Sequence, residues 1–528
     1  MKAGLGRRLS TALPAGTALV VALLLVSGNE EAGPRTPEGL PGMPPPFLGV
    51  AVLGDGGLTA AVDAYGNVVE LRAPGPAGEA LIENPVERQV AGTVAADTGI
   101  QVWARVGGGP ALPMWRADRV RQWYLPRTNV LRTVAWFGRA RVEITQTARG
   151  QVLLMVVGGE GAAAQLRSNA DVRCEERRRG QILTTACSTD RPREAAARVQ
   201  GVVNEAVISD RRLLGRARPL GPGAPLWAKR MYERSLLVLR ALTDRRTGAV
   251  AAGARDGWAY VWPRDAGTAA LAFAAAGYRP EAERVARFLL GLNLEEAARF
   301  HGDGSPVAGR AAQGDAIGWT AAAAHAAGLI GSPRHAARLL SQTYPVPWRD
   351  RTDYWEGEPG DYLANAIASG DGTKWVIPSG DGTGSPSYGD KSARGLVRRL
   401  GDPESGLDSA AAWAVRPFAT PALYPQARET LLRLTRASGP YGLLPGEGWA
   451  GGEDPWSAPT AWTAWSLAAL GERRQALRLM AALRRSATPA GDLPERVDAR
   501  TGIPRSTTPL AWSHAFAVLA LRELWPSR

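Results

Sequence analysis

The sequence has 528 residues, of which 45% are hydrophobic and 21% charged, and it carries a formal net charge of +13. A chain of this length is longer than one that usually folds around a single hydrophobic core, so we expect two domains, and the composition is that of a globular protein. The positive charge comes from arginines spread along the whole chain, without the basic stripe and interleaved aromatic residues that nucleic-acid binding needs, so we expect no nucleic-acid partner.

The N-terminus is predicted to direct export. Three basic residues precede the apolar stretch "LSTALPAGTALVVALLLVSG", so residues 1–28 are interpreted as either a cleaved signal peptide or a membrane anchor. Residues 29–46 are a Pro/Gly-rich linker. We expect the protein to be secreted or held at the outer face of the membrane, touching it only through this segment. Cys174 and Cys187 fit that setting as candidates for one disulfide, with the pairing left open.

Residues 47–216 are predicted to form an antiparallel β-sandwich. "GVAVLGDGGLTAAVDAYGNVVELRAP" alternates apolar and polar residues around a Tyr-Gly-Asn turn, as a hairpin with one buried face does. The same alternation recurs in "IQVWARV", "LRTVAWFG", "ARVEITQTA" and "QVLLMVV". The charged stretch "CEERRRG" is interpreted as an exposed connection within this domain.

Residues 224–526 are predicted to be helical. Ten segments carry apolar residues at three-to-four spacing, and short Gly/Pro turns join several of them into hairpins. Serial helical hairpins with alanine-rich inner helices indicate an (α/α)6-type barrel. The ten segments start at residues 226, 265, 280, 315, 332, 408, 424, 457, 472 and 510, with an eleventh candidate at 391–400.

Three loops between the predicted helices combine aromatic rings with carboxylates. Such loops suit pyranose recognition, because rings stack on the apolar sugar face while Asp and Arg bind the hydroxyls. Two carboxylates on opposite sides of a glycosidic bond supply the acid and base of hydrolysis. The loops are "RDGWAYVWPRDAG" with Trp258, Tyr260, Trp262, Arg264 and Asp265, "RTDYWEGEPGD" with Trp355 and Glu356, and "LPERVDARTGIP" with Glu495.

The motifs resemble glycoside hydrolase family 15, the group of glucoamylases, glucodextranases and bacterial trehalases. "VWPRD" is similar to its first barrel motif, "DYWE" to its acid-bearing motif and "LPERVDARTGIPRSTTPLAWSHA" to its base-bearing motif, and they occur in the family's order. Gln313 and Asp315 resemble a further family segment more weakly. The resemblance implies an exo-acting, inverting α-glucoside hydrolase that releases β-glucose, with Glu356 as acid and Glu495 as base. No cofactor and no metal is implied.

Alternatives remain open at several positions. The linkage is open among α-1,4, α-1,6 and α,α-1,1, and a sugar-binding relative without activity is a second reading. That reading is favoured by residues 361–400, which are rich in Gly, Asp and Ser where the family has helix. The tryptophans could be core residues, and Arg264 with Asp265 a helix-start ion pair. Asp353 and Asp498 are predicted to be turn residues, Glu358 to be solvated, and His514 to be packed.

Overall fold

The computed structural model describes residues 51–83, 99–168, 172–188, 192–255, 257–331, 348–370 and 395–527. The predicted signal or anchor (1–28), the linker (29–46) and the predicted helix that starts at residue 332 lie outside these ranges. Within them, no helix combines the length and the apolar character needed to cross a membrane.

Thirteen strands in the described residues form two antiparallel sheets. The first has the order β1-β2-β3-β5-β11, with β4 paired to β3 and β6 to β5, and the second has the order β12-β13-β10-β9-β8-β7. The strands are β1 (Ala51–Gly54), β2 (Thr59–Val62), β3 (Val68–Ala73), β4 (Glu79–Ile82), β5 (Ile100–Val106), β6 (Ala111–Pro113), β7 (Arg119–Tyr124), β8 (Leu131–Phe137), β9 (Ala140–Arg149), β10 (Val152–Glu160), β11 (Ala162–Ser168), β12 (Cys174–Arg179) and β13 (Ile182–Ser188).

Both sheets contribute to one apolar core. Leu53 and Val102 of the first sheet and Ile144 and Leu153 of the second belong to the same cluster of buried side chains. The predicted hairpin around the Tyr-Gly-Asn turn is confirmed as β2 and β3, whose turn is held by the carboxylate of Asp63. The alternating pattern therefore predicted the antiparallel strands correctly, because each strand has a face toward this core.

Two features of the β-rich region differ from the prediction. "CEERRRG" is not a connection but the edge strand β12, whose exposed charged side chains suit a strand paired on one side only. The β-structure also ends at Ser188, since helices α1 (Pro192–Ala197) and α2 (Val199–Arg216) follow. The last 25 residues of the predicted sandwich have apolar residues at helical spacing, and α2 buries Leu213 and Leu214.

The C-terminal region is helical, as predicted, and eight of the ten predicted helices are present. The helices are α3 (Leu226–Ala241), α4 (Pro263–Ala275), α5 (Arg279–Leu290), α6 (Ala316–Ala326), α7 (Leu363–Ala368), α8 (Tyr424–Ala437), α9 (Ser457–Ala469), α10 (Arg473–Ser486) and α11 (Ala511–Leu524). Helices α4, α6, α9 and α11 are almost entirely buried, whereas α5, α8 and α10 bury one face.

Three predictions in this region need correction. The segment predicted as a helix from residue 408 is a short 3-10 helix at Ser409–Ala414, and Pro417, which has no backbone N–H, follows too closely for a longer one. Residues 395–400 of the eleventh candidate are not helical. In contrast, α7 lies in the segment 361–400 that was expected to lack helix, because its six residues are buried against α6 and the 3-10 helix. Residues 371–394 lie outside the described ranges.

Cys174 and Cys187 form a disulfide between directly opposed positions of β12 and β13. The bridge closes a loop with a sequence separation of 13. Because β12 has one neighbouring strand in the sheet, the bridge adds a covalent link at the edge where hydrogen bonding is least complete.

Replacing both cysteines by alanine should lower the free energy of unfolding by about 2–3 kcal/mol, the usual effect of opening a loop of this size. Thermal unfolding of the variant and of the wild type, each with and without reductant, measures the effect. Equal melting temperatures under oxidising conditions would contradict the expectation, and the reduced wild type serves as the matched control.

Candidate active site

One cavity of about 110 Å³ lies at the end of the helical region that bears the three predicted loops. It collects side chains from loops before α4, before α6, after residue 352, before α9 and before α11. Seven of the eight predicted site residues line it: Trp258, Trp262, Arg264, Asp265, Trp355, Glu356 and Glu495. The first and last of the three predicted loops are more than 230 residues apart in sequence, so the fold creates this cluster.

Glu495 is held on both carboxylate oxygens. The indole N–H of Trp258 donates to Oε1 over 3.3 Å, and the hydroxyl of Ser506 donates to Oε2. The backbone of Glu495 is fixed as well, because its N–H donates to Thr507 and its carbonyl accepts from Ser457, the first residue of α9. Burial raises the pKa of Glu495, while the bonds from Ser506 and Trp258 oppose that shift. The geometry therefore fixes the side chain, and the two hydrogen bonds counter part of the effect of burial on its ionised form.

Glu356 occupies a tight turn with a backbone φ of 56°, a left-handed conformation that is uncommon for a residue other than glycine. Its N–H donates to the carbonyl of Asp353 over 2.9 Å, which closes the turn. Trp262 and Gln313 both donate to Oε1 at 3.2 Å. The carboxylate thus projects into the cavity from a backbone conformation that the surrounding contacts enforce.

Arg310 forms an ion pair with Oε2 of Glu356. The side chain of Arg310 is 42% exposed and that of Glu356 28% exposed, so the pair lies at the open part of the cavity. Arg310 also interacts electrostatically with Glu495, and burial and Arg299 lower its pKa. The sequence analysis did not identify Arg310, since a single arginine in a Gly-rich loop carries no signal. This contact favours the carboxylate form of Glu356, contrary to the expected protonated acid.

Arg264 and Asp265 begin α4 and are both buried. Arg264 donates to Gln313 over 2.8 Å and to Asp315 over 3.1 Å, and it lies 3.6 Å from Asp265. Burial raises the pKa of Asp265 to about 7 despite Arg264, and the nearby Glu495 adds to the rise. The pair is therefore more than the simple helix-start ion pair considered from sequence. Gln313 and Asp315, weak candidates from sequence, complete the cluster.

Aromatic rings form much of the cavity wall. Trp355 meets Trp449 edge to face at 5.1 Å, and Trp449 meets Trp456 at 5.2 Å. The guanidinium of Arg398 lies 4.0 Å above the ring of Trp355 and holds it in place. The sequence analysis did not assign Trp456, Trp512 or Tyr354 to the site, although all three line the cavity. Trp456 and Trp512 lie beside and inside predicted helices, where an aromatic residue is interpreted as part of the core, whereas Tyr354 lies in the loop "RTDYWEGEPGD" without having been singled out.

The other assigned residues have mixed outcomes. Tyr260 does not line the described cavity: its ring packs against His301 at 5.4 Å and Trp262 at 6.5 Å, so it supports Trp262 from outside. Asp353 is a turn residue, as predicted, but it is also buried and bonded twice to Arg398 at 2.9 Å. The predictions for the three remaining residues are confirmed: Asp498 in a turn, Glu358 exposed and His514 packed.

Comparison with known proteins relates the helical region to a sequence family. The model of "Glycosyl hydrolases family 15" matches residues 227–297, which contain α3, α4, α5 and the loop with Arg264 and Asp265. No curated protein sequence matches the chain.

Solved structures give a likeness of fold. A bacterial glucoamylase complexed with acarbose is similar over 93% of this chain and 96% of its own, with 14% identity and a TM-score of 0.68. A glucoamylase from Saccharomycopsis fibuligera is similar over 56% of this chain and 94% of its own, with 14% identity and a TM-score of 0.44. The first of these comparisons shows that the β-rich and helical regions together share that protein's fold.

Behind the cavity, Asp408 makes folding dependent on pH. It accepts a hydrogen bond from Tyr354 over 2.6 Å, and burial raises its pKa to about 7. In the unfolded chain an aspartate titrates at about 3.9. At a pH between these two pKa values, Asp408 is protonated in the folded protein but ionised in the unfolded chain. Its contribution to the free energy of unfolding is therefore greatest at low pH and is lost as the pH rises to 7.

We expect the free energy of unfolding of Asp408→Asn to depend less on pH than that of the wild type. The free energy of unfolding of the variant, relative to that of the wild type, should be higher at pH 8 than at pH 5, as measured by urea unfolding. Glu358→Gln removes the same charge from an exposed position and should change the wild-type dependence little. A constant difference between Asp408→Asn and wild type across this range would contradict the assignment.

Proposed function

We propose that the chain is a glycoside hydrolase of family 15 and that it hydrolyses α-glucosides from their non-reducing ends with inversion, releasing β-glucose. The observation that carries this proposal is the convergence of Glu356 and Glu495, from loops far apart in sequence, on one cavity walled by tryptophans. Two carboxyl groups are the chemical minimum for inverting hydrolysis, one to protonate the leaving oxygen and one to activate water.

Glu495 suits the base. Both its oxygens accept hydrogen bonds, from Trp258 and Ser506, which favour the carboxylate and fix the direction of its remaining lone pairs. A water placed between this carboxylate and the anomeric carbon loses its proton to Glu495 as it attacks. Inversion requires room for that water, with the carboxyl groups about 6.5–9.5 Å apart.

Glu356 suits the acid once Arg310 is displaced. Trp262 and Gln313 hold Oε1, so Oε2 is the oxygen left to carry the proton, and Arg310 contacts Oε2. A sugar that enters displaces the exposed guanidinium and removes water from around Glu356. Both changes favour the protonated form, because an opposite charge is lost and the charged form is desolvated.

The buried cluster at the start of α4 suits the terminal sugar. Asp265 accepts bonds from sugar hydroxyls, and Arg264, positioned by Asp315 and Gln313, donates to them. The aromatic wall offers surfaces for stacking on the apolar faces of the ring.

We also propose that the helical region is an (α/α)6 barrel. Its buried elements contact one another in the order α4, α6, α7, the 3-10 helix Ser409–Ala414, α9 and α11, and α11 contacts α4 in turn. This order supports a ring of six inner elements, with α5, α8 and α10 outside it. Secretion, or anchoring at the outer membrane face, is part of the same proposal, supported by the disulfide and the apolar N-terminal sequence.

A second candidate is a carbohydrate-binding relative without activity, favoured by the ion pair between Arg310 and Glu356. If this pair persists in the bound state, Glu356 stays ionised and cannot donate a proton. Hydrolysis of any α-glucoside by the purified protein, lost in Glu356→Gln, would exclude this candidate. If the protein is an enzyme, hydrolysis of α,α-trehalose is distinguished from hydrolysis of other α-glucosides only by testing which substrate is cleaved.

A panel of maltose, isomaltose, dextrin and trehalose identifies the linkage, and we expect glucose release from at least one. Proton nuclear magnetic resonance during the first turnovers should show β-glucose before mutarotation equilibrates the anomers. Initial release of α-glucose would contradict inversion, and release of longer products first from dextrin would contradict cleavage at chain ends.

The two carboxylates should respond differently to substitution by glutamine. Glu495→Gln should lower kcat by about 10² to 10⁴ on every substrate, since water must always be activated. Glu356→Gln should lower it comparably on a glucoside but far less on α-glucosyl fluoride, whose leaving group hardly needs a proton. Steady-state kinetics on both substrates measures this, with Glu358→Gln as the matched control. Equal losses on the fluoride would contradict the division of roles.

A further inference from the structure

We propose that the β-rich region takes part in catalysis through Tyr124, a positioning residue that holds the loop carrying Glu495. The proposal rests on the proposed function, because it concerns the base of that reaction. Tyr124 ends strand β7, whereas Glu495 lies in the loop between α10 and α11, so the contact joins two regions that the sequence analysis treated as separate domains.

The contact is made at Asp492, three residues before Glu495. The hydroxyl oxygen of Tyr124 lies 2.9 Å from Oδ2 of Asp492 and accepts the N–H of Val52 over 2.8 Å. Val52 belongs to β1, so the hydroxyl connects both sheets of the β-rich region to this loop. Asp492 is fully buried, and a buried carboxyl group needs such partners.

Arg234 of α3 completes the cluster. Its Nε lies 3.2 Å from Oδ1 of Asp492, and its guanidinium lies 3.7 Å above the ring of Tyr124. It also donates to the side chain of Asn129 over 2.6 Å and to the carbonyl of Thr128 over 3.3 Å. Burial raises the pKa of Asp492 to about 6, and Arg234 and Tyr124 oppose the rise. Groups from outside its own loop thus contact both oxygens of Asp492, Tyr124 through a hydrogen bond to Oδ2 and Arg234 through the charge beside Oδ1.

Little freedom remains between Asp492 and Glu495. The N–H of Leu493 donates to Nε2 of His514 over 2.9 Å, and Leu493 accepts from Leu510 at the same distance. Pro494 follows and has a fixed φ. A shift of Asp492 is therefore passed along a stiff segment to Glu495 rather than absorbed by it. Displacement of a catalytic group by about 1 Å costs as much as 10²-fold in rate.

His514 contributes to the same support. Its Nδ1 lies 2.9 Å from the hydroxyl of Ser235, on the same helix as Arg234, and burial places its pKa well below the ordinary value. The ring is therefore neutral and accepts the Leu493 N–H on Nε2. Helix α3 thus contacts the segment at two successive residues: Arg234 contacts Asp492, and Ser235 contacts Leu493 through His514. The β-rich region contacts the same segment through Tyr124.

The test is Tyr124→Phe, which removes one hydroxyl and keeps the ring under Arg234. We expect kcat to fall by roughly 10- to 100-fold. The fall should be equal on a hydrolysed α-glucoside and on α-glucosyl fluoride, because both need the base, and KM should change less than about twofold. A substitution that impaired the proposed acid Glu356 would instead leave kcat on α-glucosyl fluoride nearly unchanged.

Tyr278→Phe is the matched control. The hydroxyl of Tyr278 donates to the carbonyl of Leu213 over 2.8 Å, in a buried contact between the helical region and the segment before it. The substitution therefore also removes one hydroxyl from a buried contact between two regions. We expect a comparable loss of melting temperature and unchanged kcat on both substrates. Kinetics are measured about 15 °C or more below the melting temperature of each protein, a margin of at least about four times the shift that 1 kcal/mol produces in a large protein.

Arg234→Lys provides a second variant if Tyr124→Phe does not fold. It keeps a positive charge beside Asp492 but cannot reach both Asp492 and Asn129, so the same equal loss of kcat is expected. Unchanged kcat in folded Tyr124→Phe, a loss confined to the glucoside, or a rise in KM alone would overturn the proposal. Failure of both variants to fold would overturn it too, since the cluster would then serve folding alone. A wild type inactive on every substrate would instead refute the proposed function.

Discussion

Buried charge at the N-terminal ends of the buried helices α4 and α6 is the constraint on which the site depends. Arg264 is 5% exposed, and a guanidinium in such a place must be paired because its desolvation is costly. Asp265 beside it and Asp315 at the start of α6 supply the charges, and Gln313 adds a hydrogen bond. Gln313 also donates to Glu356. Satisfying one buried arginine therefore sets the spacing of α4 and α6 and orients the proposed acid.

The proposed acid and base are supported in different ways. Glu495 is held through rigid backbone contacts to α9 and α11 and, through Asp492, to α3 and the β-rich region. Glu356 sits in a left-handed turn closed by Asp353, which Arg398 anchors. A base that must hold one water in place and then accept its proton benefits from immobility. An acid that must change its protonation state benefits from a partner that can leave, and the exposed Arg310 is such a partner.

The aromatic residues divide in the same manner between structure and recognition. Trp319, Trp413 and Trp462 are fully buried, and Trp413 packs edge to face against the other two. Trp355 and Trp449 continue this packing outward until it becomes the cavity wall. The site is therefore the open end of the hydrophobic core. Its rings are held by the same contacts that stabilise the inner helices, which fixes the shape of the wall before any sugar binds.

The sequence by itself determined the regular elements and the chemistry of three loops. Apolar residues that recur with a period of 2 or of 3.6 indicate which face of a strand or helix is buried. Motifs such as "VWPRD" make Arg264 and Asp265 neighbours in any fold, because they are consecutive in sequence. Only the tertiary structure decided that Tyr260 lies behind the cavity wall and that Arg310 contacts Glu356. It also decided that Tyr124 meets Asp492 across 368 positions. Contacts between side chains so far apart depend on how whole elements pack, and no local pattern encodes them.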